Sequence, residues 1–351
     1  MDLKELRTEI EETDTKILEL IRKRTEIAEA IGRYKIANEI PIRNVPVEEN
    51  IVRRYKEFAE SCNIDPNMIE TVCRALIQES VERQTSLPRP ELQPKNISII
   101  GGAGKMGKWL SDLMTKIGHK VNIIDPSLDN GLSLEDVRSA DITIISVPIS
   151  TVDSILNRLN DICGEDTLIF DIASLKSPAV RTLKRMAKNK KVCSVHPMFG
   201  PSARSMYNRN LIVCDCGNKE AVTEAKMLFD NMGANVRFMD LDSHDDYMSY
   251  VLGLSHAVNI AFFTVLERSG YSFDDMCSVA STTFIKNMET NRSVASEDPK
   301  LYYDIQHLNI NRDKLWSLFS DAIKDLKKAS LDGNPTKFIE LMDLGRIYFK
   351  D

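Results

Sequence analysis

Apolar residues recur at Leu3, Leu6, Ile10, Ile17, Leu20, Ile27, Ile31 and Tyr34, and only Thr13 and Arg24 interrupt the pattern. Steps of three and four keep one stripe of a helix apolar, so the segment predicts a long amphipathic helix with a coiled-coil-like seam. After a break over residues 39–46, shorter helical patterns cover 47–61 and 66–85. The run LPRPELQP, residues 87–94, then places three prolines within seven positions, which ends helices and stiffens a linker. From Asn96 the period shortens. NISII, VNIID, ITIISV, TLIFDI and KVCSV are β-branched runs separated by helical segments such as 107–117 and 177–187. Strands that alternate with helices predict a parallel sheet covered on both faces, and LIVCDC and NVRFMD extend it to about Asp240. Beyond His244 the chain reads as helices, and residues 250–269 are apolar enough for a buried helix in a subunit interface. The pattern predicts a multidomain chain: all-α over residues 1–87, a Pro-rich linker over 88–95, α/β over 96–243 and all-α over 244–351.

The 351 residues carry 46 Lys+Arg against 52 Asp+Glu, a formal charge of −6, with 42% hydrophobic and 28% charged residues. This is the composition of an ordinary globular protein. No stretch approaches the roughly 20 apolar residues that span a bilayer, so no membrane partner is expected. MDLKELRTEIEETD is charged from its second residue and lacks an apolar core, which predicts a cytoplasmic protein. The mild acidity argues against nucleic acid as the main partner. Seven scattered cysteines without a CxxC pair predict reduced thiols, mostly in the core, and no metal site.

Arg24 stands where the seam calls for an apolar residue, and removing a guanidinium from water costs several kcal/mol unless an anion meets it. Lys35 lies three turns on, nearly on the same face and roughly 16 Å along the axis, so the two cations could grip opposite ends of a small acid. Arg7 faces the same side but lies about 42 Å from Lys35, too far to serve that site within one chain. An antiparallel partner helix crossing near residues 16–21 would bring its own Arg7 there, which predicts a homodimer with composite sites. Ser80 and Gln84, an i, i+4 pair, present two neutral hydrogen-bonding groups to one spot. The same spacing also fits a plain polar helix face with Arg24 snorkelling to water.

LRTEIEETDTKILELIRKRTEIAEAIGRYK, PIRNVPVEE and LIQESVERQ resemble the all-helical chorismate mutases over residues 3–87. The resemblance implies that Arg7 of a partner subunit and Arg24 bind the carboxylates of chorismate. It also implies that Lys35 and Gln84 hold the ether oxygen, Glu48 the ring hydroxyl and Ser80 a substrate oxygen. Two positions depart from the family: Asn44 replaces an Asp, and Val47 replaces an Arg, whose loss leaves Glu48 without its usual partner.

ISIIGGAGKMG places Gly102, Gly104 and Gly107 in G-x-G-x-x-G register, after a predicted strand and opening a helix. Such a loop serves a Rossmann-type dinucleotide site: Gly102 for the tight turn, Gly104 for approach of a pyrophosphate, Gly107 for helix packing. Asp125 ends the second strand, where a carboxylate binds ribose hydroxyls and repels a 2′-phosphate, favouring NAD. Ser146-Val147-Pro148 ends another strand on the same edge, so Val147 is a further cofactor candidate, though a plain strand exit reads the same. Of five histidines, His196 follows KVCSV on the carboxyl edge, where an acid or base for hydride transfer belongs, and Ser174 ends the preceding strand. A structural strand-end role fits His196 equally.

GGAGKMG, SVPI, DIASLKS, HPMFGP, SHAVN and SEDPKLYYDI resemble prephenate dehydrogenase from residue 96 to roughly 345. The resemblance implies that His196 takes the proton of the prephenate ring hydroxyl, with Ser174 contacting the same hydroxyl. It makes His256 a substrate-side histidine and Arg292 the ligand of a substrate carboxylate. The order of the two segments resembles the bifunctional chorismate mutase/prephenate dehydrogenase family of tyrosine biosynthesis, with NAD as cofactor, no metal, and a helical C-terminal dimerisation domain. Two alternatives remain at this point: a dehydrogenase acting on arogenate, and a helical domain that only senses an aromatic acid.

Overall fold

A computed structural model describes residues 2–89, 93–230 and 232–350; part of the Pro-rich linker, residues 90–92, lies outside them. The chain forms two compact units. The first holds residues up to Val147 together with 152–173 and 181–239; the second holds 148–151, 174–180 and 240 onward. Two short excursions from the sheet segment thus belong with the C-terminal helices.

The first unit opens with three helices, α1 (Leu3–Ala37), α2 (Val45–Ser61) and α3 (Pro66–Thr85). Asp2 starts α1 with a reciprocal cap: its carboxylate accepts from the Lys4 and Glu5 amides, while the Glu5 carboxylate accepts from the Asp2 amide. Asn44 caps α2 by accepting from the Val47 amide at 3.2 Å, and Pro46 sits in the first turn, where a missing N–H costs nothing. Only Ala28 and Gly32 of α1 are buried. A Cβ on Gly32 would lie 2.7 Å from Leu87 Cδ1 and 2.8 Å from Gln84 Cγ, so glycine there lets α3 close onto α1. The predicted seam points elsewhere: its eight apolar residues are each at least 45% exposed. The chain's own helices pack on the small-residue stripe of α1 and leave the seam bare.

The rest of this unit is a seven-stranded sheet in the order β2-β1-β3-β4-β5-β6-β7. Its strands are β1 (Asn96–Ile100), β2 (Lys120–Ile124), β3 (Ile142–Ile145), β4 (Leu168–Asp171), β5 (Val192–Pro197), β6 (Asn210–Asp215) and β7 (Asn235–Asp240). Helices α4 (Lys105–Ile117), α5 (Val152–Ile162), α6 (Val180–Met186) and α7 (Lys219–Phe229) connect them. The first five strands in the order β2 to β5 pair parallel, but β5 and β6 pair antiparallel, with His196 opposite Ile212. The expected all-parallel sheet is therefore corrected. Buried on both faces, β5 and β6 read as continuous apolar runs, and such runs carry no signal of direction. Ile97, Ile99, Ile144, Phe170 and Val195 form the core with Leu110 and Met114 of α4 and Phe229 of α7.

The second unit is helical. It comprises α8 (Leu241–Met248), a π-helical turn over 249–254, α9 (Ser255–Arg268), α10 (Phe273–Ser278), α11 (Thr282–Ala295), α12 (Pro299–His307), α13 (Arg312–Leu331) and α14 (Thr336–Tyr348). Residues 241–268 form one continuous helical run of 28 residues, long and apolar enough to cross a membrane by length and composition alone. This corrects the expectation that no stretch approaches that length: scattered Ser, Tyr and Asn side chains break up the apolar run in sequence without lowering its average enough. Within the single chain Val251, Val258 and Val265 of this run are exposed, as an apolar helix that awaits a subunit interface would be. Near its start Asp245 is buried, with its carboxylate accepting from His244 Nδ1 at 2.7 Å, from the amides of Lys176 and Ser177, and from the Ser177 hydroxyl. Burial opposes its ionisation, yet these donors hold its carboxyl below the usual range. Asp245 thereby ties the 174–180 segment to α8.

Candidate active sites

The first candidate site is built along α1. Arg24 is half-buried and donates through Nη1 to Leu76 O at 2.6 Å and to Ser80 Oγ at 2.5 Å, both on α3. Among the described residues no carboxylate pairs with it. Its charge is met only by neutral oxygens, which leaves it able to take an anion. One turn beyond Ser80, Gln84 is buried with its Oε1 unpartnered, packed against Gly32. Lys35, a turn past Gly32, donates to Ile42 O at 2.5 Å. Burial pulls its ammonium below the ordinary range, while the nearby Glu48 charge pulls it back up. Arg24, Ser80, Gln84, Lys35 and Glu48 are thus drawn to one stretch of α1. Arg7 is not: it is exposed, and the uninterrupted helix keeps it about 25 Å from Arg24.

Glu48, without the Arg that Val47 replaces, meets two other groups. Arg43 Nε lies 3.6 Å from Glu48 Oε2, and the Tyr207 hydroxyl donates to the same oxygen at 3.2 Å. Arg43 lies within PIRN but shows no periodicity that would single it out, and nothing local in SMYN marks Tyr207. Asn44, the other departure, serves as a helix cap, a task that Asn and Asp share.

The second candidate site lies where the strand order reverses, between the carboxyl ends of β1 and β3. The positive φ of the turn falls on Gly101 (76°), not Gly102, and a Cβ there would meet Ser146 O at 2.3 Å and Val147 Cγ1 at 2.9 Å. Gly102 is instead required by contact with Ile123, and Gly107 by Gly101 O, 2.5 Å from where its Cβ would be. At Gly104 only Gly101 O comes near, so that face of the loop is open. No side chain caps α4, whose first amides are therefore available to a phosphate. Asp125 Oδ2 accepts from the Ala103 amide at 3.1 Å and Oδ1 from Ser127 Oγ at 2.6 Å, which fixes the carboxylate at the rim of the loop. Burial opposes its ionisation, but Ser127 and Ala103 hold it below the usual carboxylate range, so it is charged at neutral pH. Loop, bare helix end and carboxylate together fit NAD.

His196 sits at the carboxyl end of β5, 3% exposed, on the same sheet edge as the glycine loop. The other candidates belong to the second unit. Ser174 is half-buried in the segment tied down by Asp245. His256, on α9, stacks on Tyr302 at 4.0 Å, its Nδ1 buried without a partner. Burial pushes its imidazole down to about 4, so at neutral pH it exchanges hydrogen bonds rather than charge. Arg292, on α11, is exposed over the Phe273 ring and lines a cavity of about 370 Å³ with Phe284, Met288 and Asn291. Five of the seven cysteines are buried and all are free, and among the described residues no cluster could hold a metal.

The fold and the second site define an NAD-dependent dehydrogenase, joined to a helical segment that carries Arg24 and Lys35. Residues 6–85 match chorismate mutase type II, residues 110–238 the nucleotide-binding domain of prephenate dehydrogenase, and residues 240–344 its dimerization domain. The chain is 27% identical over 312 residues to the T-protein of Enterobacter agglomerans, covering 87% of this chain and 81% of that one. It is 26% identical over 306 residues to the T-protein of Haemophilus influenzae, covering 86% and 80%. A crystal structure of prephenate dehydrogenase from A. aeolicus with hydroxyphenyl propionate and NAD+ shares the fold, with a TM-score of 0.57 at 22% identity, covering 74% of this chain and all of that one. The chain belongs to the bifunctional chorismate mutase/prephenate dehydrogenase family, and it is both an isomerase and an NAD-dependent oxidoreductase of tyrosine biosynthesis.

Proposed function

We propose that residues 1–87 convert chorismate to prephenate and that residues 96–243 and 244–351 together convert prephenate to 4-hydroxyphenylpyruvate, in a cytoplasmic homodimer. The observation that carries the mutase assignment is the buried, unpartnered Glu48 Oε1 beside the partly desolvated Lys35. Buried polar atoms are rarely left bare, and a substrate hydroxyl supplies the donor that Glu48 lacks. The rearrangement is pericyclic and needs no nucleophile or proton relay. It needs a grip on the compact conformer and positive charge near the ether oxygen as the C–O bond breaks, which Lys35 and the Gln84 amide provide. Arg24 holds one carboxylate in this reading, Ser80 a neighbouring oxygen, and Arg7 of the partner subunit the second carboxylate. The bare seam of α1 supports the dimer, as does the exposed apolar face of residues 241–268.

In the dehydrogenase, His196 accepts the proton of the ring hydroxyl, and Ser174, His256 and Arg292 bind the substrate. NAD, when bound, accepts the hydride, and loss of CO₂ makes the ring aromatic. Gly104 would admit the pyrophosphate, with Gly102 and Gly107 keeping the loop tight against strand and helix, Val147 would line the site, and Asp125 would take the ribose hydroxyls. Supplying chorismate and NAD to the protein should produce NADH after a lag during which prephenate rises and then falls. Prephenate that accumulates without NADH, while arogenate is oxidised, would replace this substrate assignment.

Asp125 also sets cofactor choice. A fixed carboxylate at the ribose repels a 2′-phosphate, so kcat/KM with NAD should exceed that with NADP by about tenfold or more. Asp125→Ser combined with Ser127→Arg should shift the preference toward NADP. Equal use of the two cofactors by the unaltered protein would remove Asp125 from that role.

A further inference from the structure

The carboxylate of the mutase groove is held from outside the helical domain. Tyr207 belongs to the loop between β5 and β6, yet it packs on the cluster formed by Ile42, Val52, Cys73, Ile77 and Val81. Its hydroxyl donates to Glu48 Oε2, and it does so at any physiological pH, because burial and then the Glu48 charge push the phenol up to about 12. The Arg43 guanidinium lies 5.3 Å from the centre of the Tyr207 ring and is held from the same side. Its Nη1 donates to Asn235 Oδ1 at 2.6 Å and to Gly233 O at 3.3 Å, and its Nη2 to Asn208 Oδ1 at 3.2 Å. With those donors committed, Arg43 meets Glu48 only through Nε, which makes no hydrogen bond. The Tyr207 hydroxyl is thus the hydrogen-bond donor that fixes Glu48 Oε2, while Oε1 stays buried and unpartnered.

We propose that Tyr207, a residue of the nucleotide-binding domain, is a positioning residue for the mutase reaction. It fixes one oxygen of Glu48 and leaves the other as the acceptor for the ring hydroxyl of chorismate. The proposal rests on the reading of Glu48 as the hydroxyl ligand. A hydroxyl held equally in ground and transition states contributes mainly to binding, so loss of its positioning should appear in KM more than in kcat.

The test uses the full chain and three variants: Tyr207→Phe, Glu48→Gln and the double substitution. Tyr207→Phe keeps the ring and its packing. It should raise the mutase KM about tenfold, the worth of one hydrogen bond to a charged group, with kcat, thermal midpoint and dehydrogenase activity little changed. In the Glu48→Gln background the same substitution should cost little more, since its effect passes through the carboxylate. An undiminished loss in that background would make Tyr207 a packing residue and overturn the proposal, as would an unchanged KM in Tyr207→Phe alone. Full mutase activity in Glu48→Gln would instead overturn the reading of Glu48, and the proposal with it. Loss in Glu48→Gln without loss in Tyr207→Phe would leave that reading standing and sink only the role of Tyr207.

Discussion

His196→Asn should lower dehydrogenase turnover by about 10²- to 10⁴-fold, the usual worth of a general base, and leave mutase activity intact. His196 is paired across the sheet with Ile212 and 3% exposed, so the strand pairing restrains its backbone. Asn keeps a polar side chain of similar reach but accepts no proton. NAD affinity should barely change, because the glycine loop and Asp125 follow other strands of the sheet, β1 and β2. Measuring both activities and NAD affinity in the variant separates the outcomes. Retained turnover would remove His196 from the mechanism, and joint loss of both activities would mean that the sheet had been damaged.

Arg7→Ala and Arg24→Ala should each abolish mutase activity, by about 10²-fold or more, while mixed dimers of the two variants regain it in part. In the proposed site each arginine would make a charge-assisted contact to a carboxylate, worth several kcal/mol where water is excluded. Arg7 lies about 25 Å from Arg24 along a continuous helix, so in the proposed dimer the second carboxylate would be met by Arg7 of the other subunit. A mixed dimer then holds one site with both arginines and one with neither. Subunits that demonstrably exchange without restoring activity would exclude the shared site, and dehydrogenase activity should be untouched in every combination.

Much of this was legible in the residue pattern because the signals are local. The three-four spacing of α1, the prolines after α3 and the β-branched runs each report on neighbours a few positions away, and so does the glycine register. The direction of β6 was not legible, since a strand buried on both faces looks the same either way up. The seam of α1 could be read, but not that α3 would choose Ala28 and Gly32 over it: side-chain volume at a helix crossing decides that, and periodicity does not record it. The positive φ at Gly101 lies one residue outside the familiar glycine spacing, and its reason, the carbonyl of Ser146, is 45 positions away. The partners of Glu48 were invisible for a related cause. Arg43 reaches Asn208 and Asn235, and Tyr207 reaches Glu48, over 159 to 192 positions, and nothing in the PIRNVPVEE motif points to the far end. His256 and Arg292 carried a family signature, whereas Asp245, which anchors the segment holding Ser174, carried none.

Every residue of α1 through Leu20 is exposed within the single chain. Caps and intrinsic propensity alone leave a helix of that length marginal in water. In the proposed homodimer its order would be governed by mass action: association would supply the missing apolar contacts, and dilution withdraw them. The first five turns would then fray at low protein concentration while the sheet stayed folded, and Arg7, which lies within them, would be the first part of the proposed composite site to be lost. In this arrangement the abundance of the protein is itself a control on its first reaction.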